Sequence, residues 1–293
     1  MSLQMKTVAT LISALYSKEL ATAEKAAKMG SKPRTDAHIP TGLRRECNIE
    51  VASPGGYKVH TLTPRNRPHP ITVVYFHGGS YVNAIARPHW WIIRQIILRT
   101  GATVIVPSYP LAPEHSVSEA FTWINPILDQ VHSSSRDRKV YYAGDSAGGG
   151  LATALALSRP APEVDGLFLF SPWLDVTMTN PEIQAIEPHD VMLGAEGLRY
   201  WGRVWAGDWD PSDPRVSPIN GNLANLPPTR IYQGERDIFL PDARRFAGLA
   251  RASGASVKLF EFPDGFHVFV GLPHSPEARE AFDDLATSIG DVH

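Results

Sequence analysis

Lys139-Val140-Tyr141-Tyr142-Ala143-Gly144-Asp145-Ser146-Ala147-Gly148-Gly149-Gly150-Leu151 is the stretch on which the fold turns. Lys139 to Ala143 has the short, apolar, aromatic and β-branched character of a buried strand, and Ala147 to Leu157 that of a helix. Only Gly144-Asp145-Ser146-Ala147-Gly148 joins them. A G-x-S-x-G turn that leads straight from strand to helix is so sharp that the central hydroxyl projects above the sheet, and glycines at its flanks avoid collision. Ser146 is therefore a candidate nucleophile.

Working outward, the chain alternates strand and helix. Cys47 to Val51 and Tyr57 to Thr63 flank the turn Ser53-Pro54-Gly55-Gly56, an antiparallel opening. Ile71 to Phe76, Ala102 to Pro107, Lys139 to Ala143, Gly166 to Phe170, Thr229 to Tyr232 and Val257 to Phe262 then read as strands buried on both faces. Helices are expected at Lys6 to Glu19, Ala21 to Met29, His89 to Arg99, Glu119 to His132, Ala147 to Leu157, Asp242 to Ala252 and Glu277 to Ser288. Such alternation predicts an α/β fold, a mainly parallel eight-stranded sheet flanked by helices, with ligands gathering at the strands' C-terminal ends. Between Ser171 and Leu226 no strand is readable. Leu198, Trp201 and Trp205 stand there at helical spacing within Glu196 to Ala206, which points to an inserted cap over the sheet. The expected organisation is one domain: an N-terminal helical cap segment (1–45), core (46–175), cap insertion (176–220) and core again (221–293).

A serine hydroxyl is a poor nucleophile at neutral pH and needs an imidazole base, itself oriented by a carboxylate. Two strand-ending loops can supply them. Gln233-Gly234-Glu235-Arg236-Asp237 follows one strand and Phe262-Pro263-Asp264-Gly265-Phe266-His267 follows the next. The order Ser146, Asp237, His267 is that of an α/β-hydrolase triad. Glu235 and Asp242 are rival acids, and His274 a rival base. Attack on a carbonyl also needs N–H donors for the developing oxyanion. His77-Gly78-Gly79-Ser80 follows the strand Ile71 to Phe76, so Gly78, Gly79 and Ser80, with Ala147 from the elbow, are the candidates. Trp90, Trp91, Trp201 and Trp205 are candidate pocket residues, against a plain packing role between cap and core.

The chain resembles the hormone-sensitive-lipase-like family of α/β-hydrolase esterases over nearly its whole length. The resemblance rests on Phe76-His77-Gly78-Gly79-Ser80, Tyr109-Pro110-Leu111-Ala112-Pro113-Glu114-His115, Gly144 to Gly149, Ser171-Pro172-Trp173-Leu174-Asp175 and the Asp237 and His267 loops. It implies Ser146 as nucleophile, His267 as acid and base, Asp237 as orienter, and the Gly79, Ser80 and Ala147 N–H groups as oxyanion donors. It also implies a cap built from the N-terminal helices and the insertion, and turnover of short- to medium-chain carboxylic esters. Two departures stand out: the family usually has glycine at position 80 and arginine at position 110. An amidase or aryl formamidase would use the same triad, and a noncatalytic ligand receptor would share the fold without the base.

Composition narrows the remaining classes. Twenty-eight Lys+Arg against 30 Asp+Glu leave a net charge of −2, which announces no nucleic-acid partner. Cys47 is the single cysteine, so neither a disulfide scaffold nor a cysteine-rich zinc site is expected, and a reducing, cytoplasmic setting fits. The 11 histidines show no metal-ligand spacing, and neither metal nor cofactor is expected. Thr7 to Tyr16 could pass for the apolar core of a signal peptide. However, Val8, Leu11, Ile12 and Leu15 recur with helical period, and amphipathic helix is the better reading. No uninterrupted apolar run is long enough for a membrane-spanning helix. The expected partner is a small ester, and a homodimer is left open.

Overall fold

The structure, a computed structural model, describes residues 2–15, 18–135, 138–159 and 163–290. Tyr16 and Ser17, inside the expected Lys6 to Glu19 helix, lie outside those residues.

Eight strands form one sheet: β1 (Cys47–Ala52), β2 (Val59–Pro64), β3 (Ile71–Phe76), β4 (Thr103–Pro107), β5 (Lys139–Asp145), β6 (Gly166–Phe170), β7 (Thr229–Gly234) and β8 (Val257–Phe262). Their spatial order is β1-β2-β4-β3-β5-β6-β7-β8. β2 is antiparallel to both β1 and β4, and all later pairings are parallel. The direction of winding reverses at β3, which lies between β4 and β5, so the crevice beyond the C-terminal ends of β3 and β5 is the natural ligand position.

Side chains of the central strands alternate between two cores. Val74, Phe76, Tyr142, Leu167 and Leu169 face one, and Val73, Tyr75, Tyr141, Phe168 and Phe170 the other. Burial on both faces is why these strands read as continuous apolar runs. The first core is closed by α5 (Val117–Ser134), α6 (Ala147–Leu157) and α9 (Leu240–Ala252), through residues such as Ile124, Leu155 and Phe246. The second is closed by α4 (Arg87–Thr100) and α10 (Pro276–Gly290), through Ile93, Ile97, Phe282 and Leu285. Gly101 ends α4 in the left-handed region (φ 65°), its N–H donating to the Ile97 carbonyl at 2.9 Å.

The remaining helices are α1 (Leu3–Leu15), α2 (Ala23–Met29), α3 (Thr41–Glu46), α7 (Ile183–Ile186) and α8 (Ala195–Ala206). α3 is a single turn that the sequence pattern does not anticipate. Segments far apart in sequence meet where α8 docks on α2. Leu20 accepts the Gly197 N–H at 3.0 Å, and a Cβ at Gly197 would collide with that same carbonyl. The Trp201 indole N–H donates to the Ala26 carbonyl at 3.1 Å. Among the described residues, no helix is long and apolar enough to cross a membrane.

Candidate active site

Strand register sets the site. Phe76 pairs with Gly144 and Phe170 with Asp145, so the loops leaving β3, β5 and β6 start level with one another. The elbow after β5 holds Ser146 at φ 53°, ψ −124°, a region that costs a residue with a Cβ about 1–3 kcal/mol. Neighbouring backbone fixes it there. Ser146 donates its N–H to the Phe170 carbonyl at 2.9 Å, and its own carbonyl accepts from Gly149, Gly150 and Trp173 at 3.0, 3.2 and 2.9 Å. A Cβ at Gly148 would strike the Phe76 carbonyl, so the turn can lie against β3 only with glycine there. The Ser146 hydroxyl makes no hydrogen bond to the described residues and lines a cavity that it shares with His267.

The β7 and β8 loops meet backbone to backbone. Glu235 and Arg236 donate their N–H groups to the carbonyls of Phe262 and Gly265, each at 3.0 Å. That contact brings His267 Nδ1 to 2.8 Å from Asp237 Oδ2, while Asp237 Oδ1 accepts the Phe239 N–H at 3.0 Å. The Ser171 hydroxyl accepts the Val268 N–H at 3.0 Å and pins the far side of the histidine loop. With its proton on Nδ1 facing the carboxylate, the His267 ring keeps Nε2 as its proton acceptor. Burial works against a charged imidazole. It is outweighed by the Asp237 charge and hydrogen bond and by the charges of Asp190 and Asp145, so the His267 pKa lies above its ordinary value. The sequence's rivals sit elsewhere: Glu235 is exposed, Asp242 bonds Asn180, and His274 packs edge-on against Trp91.

Asp190 escapes sequence reading. Only 2% exposed, its carboxylate accepts the N–H groups of Met192 and Leu193 at 2.7 and 2.8 Å and that of Ile238 at 3.0 Å. Burial, then repulsion from Asp237, pushes its pKa up to about 6, against the pull of those N–H groups and of His267. An aspartate accepting N–H groups two and three residues on is a familiar local turn. Its long-range bond to Ile238 has no sequence signature.

The loop after β3 runs through three consecutive left-handed residues, Gly79 (φ 120°), Ser80 (φ 56°) and Tyr81 (φ 62°). It is held by Val82 and Asn83 N–H groups on the Gly79 carbonyl (3.0 and 2.9 Å) and by Tyr81 stacked on Trp205 at 4.2 Å. Gly79 and Ser80 line the cavity; Ala147 is fully buried behind Ser146. The N–H groups of these three find no acceptor among the described residues. Gly78 differs from expectation, because its N–H is already donated to Asp145 Oδ1 at 3.0 Å. It shapes the loop rather than offering a free donor. Asp145 also accepts from Tyr75 Oη at 2.5 Å and faces His89 Nε2 at 3.4 Å. Burial would raise its pKa, but His89 and the hydrogen bonds from Tyr75 and Gly78 more than offset this and hold it below its ordinary value. Burial, with charge at His89, pushes His77 down to about 4, so its ring is neutral and donates from Nδ1 to the Gly78 carbonyl at 2.7 Å.

The cavity measures about 750 Å³. Its walls are mostly apolar and come from α1 and α2 (Val8, Ile12, Met29), from Met192 and Leu193 of the segment between β6 and β7, and from the histidine loop (Phe266, Val268). The four tryptophans proposed from sequence do not line it. Trp90 bonds the Ala37 carbonyl and packs on His60, Trp91 lies against His274, Trp201 bonds Ala26, and Trp205 stacks on Tyr81. They are large apolar groups used to fix helices and loops in place. Arg34, from the N-terminal segment, pairs with Glu114 and donates to the Ala112 carbonyl at 2.6 Å, which ties that segment to the loop after β4. No cluster of three His, Cys, Asp or Glu able to hold a metal occurs among the described residues.

Comparison with known proteins bears on the family and the fold. The alpha/beta hydrolase fold family matches residues 73–271. An esterase of Acinetobacter venetianus is 33% identical over 227 residues, covering 73% of each chain. An acetyl-hydrolase of Streptomyces hygroscopicus is 31% identical over 220 residues, covering 72% of this chain and 73% of its own. Among solved structures, a hormone-sensitive lipase from a metagenome library superposes with a TM-score of 0.81 at 25% identity, over 98% of both chains.

Proposed function

The chain belongs to the hormone-sensitive-lipase-like family of α/β-hydrolases, and from that premise we propose that it is a serine carboxylesterase acting through an acyl-enzyme on short- to medium-chain esters. The observation that carries this reading is the 2.8 Å bond from His267 Nδ1 to Asp237, on an imidazole that lines the same cavity as Ser146.

In the mechanism, His267 Nε2 takes the Ser146 proton as Oγ bonds the ester carbonyl carbon. The carbonyl oxygen becomes an oxyanion and meets the N–H groups of Gly79, Ser80 and Ala147. Asp237 stabilises the imidazolium, which hands its proton to the leaving alkoxide as the C–O bond breaks. Water then enters, loses a proton to His267, attacks the acyl carbon and releases the acid, and the proton returns to Ser146. Every proton is accounted for by one imidazole. Apolar walls from Val8, Ile12, Met192 and Leu193 suit the acyl or alcohol chain, and about 750 Å³ holds more than an acetyl group.

A 4-nitrophenyl ester series from acetyl to palmitoyl tests the reading, run on wild type, Ser146→Ala and His267→Ala. Turnover peaking among the short and medium chains and lost in both variants is expected. Retained turnover in Ser146→Ala would overturn the site, a palmitoyl peak the chain-length assignment, and faster cleavage of a matched anilide the ester preference.

A further inference from the structure

Ser80 stands where a glycine would be free of strain. Its φ of 56° lies in the left-handed region that penalises a Cβ. A side chain held in that region inside a reactive cavity invites a role for the side chain itself. The residue is buried, only 6% exposed, and lines the cavity together with Gly79, Ser146 and His267. Its hydroxyl has no hydrogen-bond partner among the described residues, and neither has its N–H. The hydroxyl is not sealed in protein: it lies open to the cavity, where a bound molecule can meet it.

We propose that the Ser80 hydroxyl is a catalytic hydrogen-bond donor to the substrate oxyanion, acting beside the backbone N–H of the same residue. This rests on the esterase reading above. A gauche χ1 rotamer swings a serine hydroxyl alongside its own N–H, so both can converge on one acceptor. The Gly78 N–H is committed to Asp145, and the Ser80 hydroxyl adds a donor from the same loop in its place. No proton is transferred: the hydroxyl keeps its hydrogen while the carbonyl oxygen gains charge on attack by Ser146. The bond is therefore stronger in the tetrahedral state than in the ground state, which is the condition for raising kcat rather than only tightening binding.

Ser80→Ala keeps the strained Cβ and removes the hydroxyl. Ser80→Gly removes both. The expected result is a fall in kcat of about 10- to 100-fold in each, with KM little changed. Ser80→Gly should at the same time melt at or above the wild-type temperature, because strain is relieved, so its loss of rate cannot be ascribed to unfolding. Affinity for a trifluoromethyl ketone, whose adduct with Ser146 carries the oxyanion, should fall in both variants by the same factor as kcat/KM. Wild-type kcat and ketone affinity in Ser80→Ala and Ser80→Gly would overturn the proposal alone. Turnover surviving in Ser146→Ala would instead remove the esterase reading and this proposal together.

Discussion

Asp190, in the segment between β6 and β7, accepts at 3.0 Å the backbone N–H of Ile238, the residue immediately after Asp237. One carboxylate thus ties the wall of the cavity, through Met192 and Leu193, to the loop that orients His267. Three carboxylates bear on that imidazole: Asp237 from the loop after β7, Asp190 from the segment between β6 and β7 and Asp145 from the elbow. The base must be neutral to act, so activity is lost as pH falls through its raised pKa, and the acid limb of kcat/KM should lie above the ordinary value of 6.5. Asp190→Asn withdraws one raising charge, and the limb should move to lower pH. The same variant leaves the Ile238 N–H facing an amide, with a stability loss of about 1–3 kcal/mol. A pH–rate profile together with a denaturant titration checks both; a destabilised variant with an unmoved limb would reduce Asp190 to a packing role.

Asp237→Asn should preserve the fold and lower kcat by roughly 10³–10⁴-fold, because an amide there no longer fixes the imidazole with its proton on Nδ1. The measurement is kcat on a 4-nitrophenyl ester alongside a thermal melt. A loss of less than tenfold with an unchanged melt would mean that the 2.8 Å contact does not orient the base.

Met192 lines the cavity from the segment between β6 and β7. Met192→Trp adds a bulky ring to a space of about 750 Å³ and should shift the chain-length profile toward shorter esters, with acetyl turnover affected least. The check is kcat/KM across the ester series; an unaltered profile would place the substrate chain elsewhere in the cavity.

Gly197→Ala sets two effects against each other. Alanine gains about 1 kcal/mol of helix propensity within α8, but its Cβ has no room against the Leu20 carbonyl, and overpacking costs about 1–3 kcal/mol. Packing should win. A lowered melting temperature, with KM raised more than kcat is reduced, is expected if the α2–α8 contact shapes the cavity; a more stable variant would contradict the tight docking.

The strands and the elbow were legible because burial on both faces of a parallel sheet leaves apolar runs, and the turn at Ser146 has no room for a Cβ at Gly144 or Gly148. The Asp237 and His267 loops were legible from chain order and from their places after β7 and β8. What sequence did not disclose depends on contacts between distant segments: the Asp190 bond to Ile238, the Arg34 pair with Glu114, and the commitment of the Gly78 N–H to Asp145. The tryptophans misled for a related reason. A large aromatic near a functional loop can line a pocket or brace the loop from behind, and only the packing of Trp205 on Tyr81 decides between them.

The most direct measurement is covalent trapping. Incubation with a fluorophosphonate, followed by intact mass and peptide mapping, should give one adduct per chain, on the peptide carrying Ser146, with loss of esterase activity in step with labelling. No adduct, or an adduct on another residue while ester turnover continues, would contradict the account.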